Sequence, residues 1–380
     1  MQSPLSLFTK TSFAKSSQRF IRQPAIKFAV ALAGIALISA SCNLFSSTSL
    51  LGMVKSIDGG QTWKAASAAS SGAGISTLDV SEMAFDSSSS KTIYLASTNG
   101  GLWETQDSAN TWQQILSKIT TYDFYVIPAN DKIIYAAGIY NSHGKIVRSE
   151  DGGGSWTEIY NESSTNNSVN SIVADPSNPT IIYAGLNSGE IIKSTDGGVN
   201  WFVAYDFKDQ VLKLRFDPAH NLYVLLKANG ISESTDGGTT WNSITQPLTN
   251  ISDYDTTTLQ NSSVSSFVKF SLDTQASGII FTTTSQGLFK TVDNGAHWSL
   301  INLPVNKTQP IAGTAALPRA VTSTEGGMQV YTSIYGTIYR SIDGGNSWQT
   351  EETPTTNSIN KILIDPQNNS NIYAGLVQLQ

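Results

Sequence analysis

The stretch Ser194-Thr195-Asp196-Gly197-Gly198-Val199-Asn200-Trp201 recurs, with small changes, so that the chain holds seven copies of Ser/Thr-x-Asp-x-Gly-x-x-Trp. The other copies occupy 56–63, 105–112, 149–156, 234–241, 291–298 and 341–348, and only one is damaged, with Ala109 in place of the second glycine. Their aspartates are Asp58, Asp107, Asp151, Asp196, Asp236, Asp293 and Asp343; their tryptophans are Trp63, Trp112, Trp156, Trp201, Trp241, Trp298 and Trp348. Each copy lies between two short strand-like runs, for example Glu190-Ile191-Ile192-Lys193 before it and Trp201-Phe202-Val203-Ala204 after it. Two such runs joined by a turn-rich segment make a hairpin. The aspartate accepts bonds from backbone N–H groups ahead of it, the glycines take positive φ, and the tryptophan buries a large apolar surface. Seven copies mark a stacking unit, whereas a catalytic or metal site needs a single constellation.

Upstream of each octet two further strands are expected, as in 169–174 and 180–186, joined by the turn Asp175-Pro176-Ser177-Asn178-Pro179. The unit is therefore four strands, a to d, with the octet between c and d. Other inner pairs are 80–85 with 92–96, 124–127 with 133–137, 211–216 with 222–226, 264–270 with 278–283, and 311–317 with 329–333. Octet aspartates recur every 40 to 57 residues, the period of a propeller blade. The first octet is preceded only by Gly52-Met53-Val54-Lys55. The last is followed by strands a and b, 359–364 and 371–376, with no c or d. The two halves complete one blade, which closes the ring and removes its edges. The expectation is an all-β, seven-bladed propeller of four-stranded blades over 51–380, sealed by a composite blade.

The octet resembles the Asp-box, or bacterial neuraminidase repeat, of sialidases, xyloglucanases, the sortilin propeller and the photosystem II assembly factor. That resemblance covers nearly everything after residue 50 and implies a fold, with the octets at the blade periphery, away from the ligand face. It also implies two classes of function, a glycosidase and a scaffold. Sialidases clamp a carboxylate with three arginines. The chain after residue 41 has four, Arg148, Arg215, Arg319 and Arg340, two of them directly before octets, and no Phe-Arg-Ile-Pro. The xyloglucanase pattern Asp-x-Gly-Gly-x-Tyr-Arg is missing, and a single cysteine does not match sortilin's cysteine-rich module. The assembly-factor family agrees in length, blade number and export, although its arginine-rich face has no evident counterpart.

Residues 1–41 carry Lys10, Lys15, Arg19, Arg22 and Lys27, no acid, and the apolar core 28–38. That is the pattern of an export signal, too short to span a bilayer, which takes about 20 residues. It ends Ser39-Ala40-Ser41-Cys42 and resembles a bacterial lipobox, with Ser39 where leucine is usual. Cys42, the lone cysteine, is the expected lipidated N-terminus, followed by a tether to residue 50. The expected location is a membrane anchored on the periplasmic or cell-surface side. The whole chain has 23 basic and 29 acidic residues. Loss of the five leader cations leaves a net charge near −11, which disfavours nucleic acid.

Ligands of a propeller meet the face carrying the b–c and d–a connections. Candidates there are Tyr140 and His143 in one b–c turn, and Asp253, Tyr254 and Asp255 in the longest d–a connection, 245–263. Connections of about 20 residues are often functional or disordered. No catalytic set can be nominated, and the three histidines, His143, His220 and His297, lie in different repeats with no metal spacing. No metal or cofactor is expected. The favoured reading is a monomeric, non-catalytic scaffold taking a protein or glycan on its loop face. The alternatives are a glycoside hydrolase or glycan-binding propeller with an unrecognised carboxylate pair, and a structural surface lipoprotein. Cys42→Ser is expected to release the protein from membranes, scored by fractionation; undiminished membrane retention would refute lipidation.

Overall fold

A computed structural model describes residues 50–68, 74–249, 264, 266–304, 318–324 and 326–378. All of these lie in the unit Ser47–Gln380. Its strands form seven separate four-stranded antiparallel sheets. Six are sequential: blade 1 at 80–116, blade 2 at 120–165, blade 3 at 169–206, blade 4 at 211–243, blade 5 at 267–301 and blade 6 at 320–352. Blade 7 is composite. Inner strands Ser358–Ile364 and Ile372–Val377 are continued by Met53–Ser56 and Lys64–Ala65. The seam is a full ladder, with Met53 opposite Gly375 and Ser56 opposite Ile372. The leading strand is further pinned where Thr355 Oγ1 and Asn357 Nδ2 both donate to the Leu50 carbonyl, at 2.9 Å each.

The octets form the c–d turns. In blade 3, Ser194 Oγ donates to Asp196 Oδ1 (2.8 Å) and accepts from Gly198 N (2.9 Å). Asp196 Oδ1 then accepts from the backbone N–H groups of Val199 and Asn200. The turn is thus wired by one hydroxyl and one carboxylate, and both glycines have positive φ. At Gly198 a Cβ would meet Ile159 Cδ1 at 2.5 Å, so the tip of that side chain would have to turn aside; at Gly197 nothing lies within 4 Å. Ala109 of the damaged copy also takes φ of 62°. Its methyl is fully buried in the cluster around Trp112, and that burial offsets the conformational cost.

Neighbouring blades are clamped in both directions. Four octet tryptophans bond backward, three of them within the sequential blades: Trp201 Nε1 donates to Ile159 O, Trp156 Nε1 to Ile115 O and Trp298 Nε1 to Ile244 O. Across the seam, Trp112 Nε1 of blade 1 donates to Ala66 O beside blade 7 at 2.8 Å. A buried aromatic on strand b reaches forward. Tyr94, Tyr135, Tyr183, Tyr223, Phe281, Tyr331 and Tyr373 occupy this position in blades 1 to 7. Tyr183 OH donates to Gly237 O of the next octet at 2.9 Å, and Tyr223 OH donates to Glu233 Oε1 at 2.7 Å, whose other oxygen accepts from Asn294 Nδ2 of the next octet at 2.7 Å. Burying such rings is worth roughly 2–3 kcal/mol each, so the blades cohere through these contacts rather than through shared sheet.

Two strand expectations are corrected. The inner strand of blade 6 is Ala320–Thr324, paired with Gln329–Ile334, and not 311–317, a segment that lies outside the described residues. The inner hairpin of blade 2 is longer than its apolar core implies, running Thr120–Ile127 and Asn130–Tyr140. Cys42, Asp253, Tyr254 and Asp255 also lie outside the described residues.

Two variants test this account. Ending the chain after Thr356 removes the inner half of blade 7 and is expected to abolish the single cooperative melting transition; an unchanged Tm would contradict ring closure. Gly198→Ala is expected to cost about 2 kcal/mol in urea unfolding, because Ile159 must turn aside in addition to the φ penalty, against about 1 kcal/mol for Gly197→Ala, which meets only the φ penalty.

Candidate functional site

Strand a of each blade lines the axis of the ring. In six of the seven, the a–b ladder slips by one residue near its start: Val80/Glu82, Thr121/Asp123, Val169/Ser171, Val211/Lys213, Phe267/Lys269 and Ile359/Lys361. Blade 6 pairs without a shift. A bulge twists its strand and re-aims side chains. Here the residue after each bulge is Glu82, Asp123, Ser171, Lys213, Lys269 or Lys361. Three of the skipped residues stitch one inner strand to the next. Ser81 Oγ donates to Thr121 O (2.7 Å), Asn170 Nδ2 to Val211 O (2.9 Å) and Asn360 Nδ2 to Val80 O (2.8 Å).

The post-bulge residues make a buried ion network across the channel. Glu82 pairs with Lys213, with Arg215 Nη2 (3.0 Å) and with Lys361 Nζ (2.5 Å). Asp123 pairs with Lys213 Nζ at 2.8 Å and Arg215 Nη1 at 3.5 Å, and accepts from Ser171 Oγ (2.7 Å) and Ile172 N (3.0 Å). Burial disfavours ionisation of Glu82, yet Lys213, Lys361 and Arg215 together hold its carboxyl well below the usual range. Burial pulls the Lys213 ammonium down, helped by the Arg215 charge. The geometry settles the pair as ionised, since Lys213 faces two carboxylates at once.

Three cavities follow the axis. A mouth of about 380 Å³ on the b–c face is lined by Ser81, Tyr122, Asn170, Gln210, Lys269 and Asn360 among others. Below it, a neck of about 150 Å³ is lined by Glu82, Lys213, Arg215, Lys269 and Lys361. The opposite face opens into about 500 Å³ bounded by Arg215, Asp217, His220, Asp273 and Lys361. At its edge His220 Nδ1 lies 2.6 Å from Ser177 Oγ, an exposed contact.

Tyr140 and His143 sit at the tip of the blade 2 b–c turn, where they pair across it. Neither lines the mouth. Tyr140 is exposed, and His143 Nδ1 meets the Glu162 carbonyl at 2.8 Å, tying the turn to its own outer strand. The octet aspartates lie in turns on the outer side of strands c and d. No group of three or more histidine, cysteine or acidic side chains is placed to hold a metal among the described residues. The axial network was not singled out from the sequence, although aligning the strand a segments places Glu82, Asp123, Lys213 and Lys361 in one column, with Arg215 two residues further on.

Seven four-stranded blades about a charged axis define a β-propeller. The chain belongs to the family of the DUF6242 beta-propeller domain, whose model matches residues 123–373. No curated protein sequence matches it. Among solved structures it is similar to the GH74 xyloglucanase from Xanthomonas campestris, at 16% identity and a TM-score of 0.62, covering 79% of this chain and 51% of that one. It is also similar to YCF48, solved bound to a D1 peptide, at 15% identity and a TM-score of 0.57, covering 79% and 94%. YCF48 from Cyanidioschyzon merolae matches at 16% identity and a TM-score of 0.53, covering 79% and 96%. This chain spans about half the length of the GH74 enzymes it matches.

Two predictions concern charge. The carboxyls of Asp58, Asp151, Asp196, Asp236, Asp293 and Asp343 are held at about 2, chiefly by the hydrogen-bonding residue four positions on. A folded pKa below the unfolded value near 4 means that the folded chain binds fewer protons. Their stabilisation is therefore complete above about pH 4 and is lost as pH falls from there through 2. Urea midpoints should fall over that interval, and Asp196→Asn, weaker at pH 7, should show a shallower fall. Glu82→Gln leaves Lys213, Lys361 and Arg215 short of one carboxylate and is expected to destabilise by about 3 kcal/mol, measured at pH 7.

Proposed function

We propose that this chain is an exported propeller, anchored through Cys42, that works as a non-catalytic scaffold binding a protein partner on its b–c face. The observation that carries this reading is the state of the channel carboxylates. Glu82 and Asp123 are both consumed in ion pairs, and Glu82 is held firmly ionised. Glycoside hydrolysis calls for a carboxylic acid kept protonated beside a second, free carboxylate. Among the described residues the carboxyls raised by burial, Glu104 and Glu351, instead lie on outer strands of blades 1 and 6. The mouth presents amides, hydroxyls and a phenol on a rigid rim, which suits hydrogen bonding to an extended peptide. YCF48, matched over nearly its whole length and solved with a peptide, supports the same reading.

The test combines crosslinking with an assay. Wild-type protein crosslinked in native membranes should enrich one protein partner, and a Tyr122→Ala/Gln210→Ala double variant should lose it while keeping its Tm. Sustained hydrolysis of xyloglucan or a sialoside by the purified wild type would overturn the reading.

A further inference from the structure

The neck of the channel carries a charge imbalance that the ion network leaves unresolved. Four cations, Lys213, Arg215, Lys269 and Lys361, face two carboxylates, Glu82 and Asp123. The carboxylates have no capacity to spare. Glu82 already receives Lys213, Arg215, Lys361 and the Met83 N–H. Asp123 already receives Lys213, Arg215, Ser171 and the backbone of Ile172 and Phe124. Lys269 is left over: among the described residues its ammonium makes no ion pair or hydrogen bond. It also sits where the neck and the b–c mouth meet, lining both cavities. Glu82 and Asp123 attract it only through space while Lys213 and Lys361 repel it, and a half-buried cation in that position is costly unless a further counter-charge reaches it.

We propose that the neck is an anion site, in which Lys269, backed by Lys213 and Lys361, binds a small divalent oxyanion of the phosphate or sulfate class. Two surplus cations match two negative charges, and a carboxylate is the weaker fit because it leaves one cation unbalanced. The 150 Å³ neck holds several water volumes of about 30 Å³, enough for one tetrahedral anion with part of its hydration. Entry is from the b–c face, past Ser81, Asn170 and Asn360. This site stands whether or not the protein is a scaffold.

The burial of Lys269 lowers its pKa to about 8, so it is still a cation at pH 7. Affinity for sulfate should therefore fall as pH rises through 8. The other charged groups facing it are Glu82, Asp123, Lys213, Arg215 and Lys361.

The experiment is a thermal titration of the full chain with sodium phosphate, sulfate, acetate or chloride at matched ionic strength. Concentrations stay below about 5 mM, where general salting effects are small. Phosphate and sulfate should raise Tm along a saturating curve, as ligand linkage requires; acetate should do so less, and chloride not at all. Lys269→Met should bind sulfate at least tenfold more weakly by calorimetry, while its Tm in chloride rises, because an uncompensated buried charge has been removed. Lys269→Arg keeps the charge and should retain binding. Equal shifts with all four salts, or an undiminished sulfate response in Lys269→Met, would overturn the site. If Lys269→Met fails to fold, calorimetry on the wild type decides: no saturable sulfate heat, or none lost between pH 7 and 9, overturns it equally.

Discussion

Pairing of Met53–Ser56 with Ile372–Val377 turns seven sheets into a ring, and every other feature of the molecule depends on that closure. A closed ring fixes the angle between blades. It thereby fixes where each strand a meets the axis, and brings residues 82, 123, 213, 215 and 361 within bonding distance across one channel. Lys213 of blade 4 reaches Glu82 of blade 1, a contact no single sheet or adjacent pair could make. The clamps at the blade edges serve the same constraint from outside: four octet tryptophans bond backward and strand-b aromatics pack forward.

Much of this architecture was legible because it is repeated. One octet read seven times gave the c–d turn, the blade period and the incomplete termini, and the hydroxyl–carboxylate wiring of Ser194 and Asp196 follows from residue type. Blade 6 was misplaced for a physical reason. Segment 311–317 is apolar and strand-like, whereas the true strand, Ala320–Thr324, is mostly short and polar and is held by pairing with Gln329–Ile334. The channel was missed because its members look ordinary locally. In Val211–Phe216 a lysine and an arginine alternate with apolar residues, the pattern of any strand with one wet face. Only a bulge at the same place in six blades reveals that this wet face is the axis. Asp253, Tyr254 and Asp255, singled out for loop length, are not among the residues the structure describes.

The bulk charge of the chain concealed the local field. A formal net charge of −6 describes solubility and long-range attraction, yet the neck carries cations in excess of carboxylates. Eleven of the 29 acids are spent on turns, seven in the octets and four at the a–b corners, where Asp175, Asp217, Asp273 and Asp365 accept backbone bonds. Carboxylates committed to backbone geometry are bound up where they stand, which leaves the lysines of the inner strands to set the potential along the axis.

The composite blade also orders events in time. Its outer strands leave the ribosome first, and the strand that must lie beside them emerges roughly 300 residues later. Until then the ring has an open flank, and loop closure over so long a span is slow. A polypeptide emerging in this order would assemble its middle sectors early and latch last, the composite blade serving as the hasp.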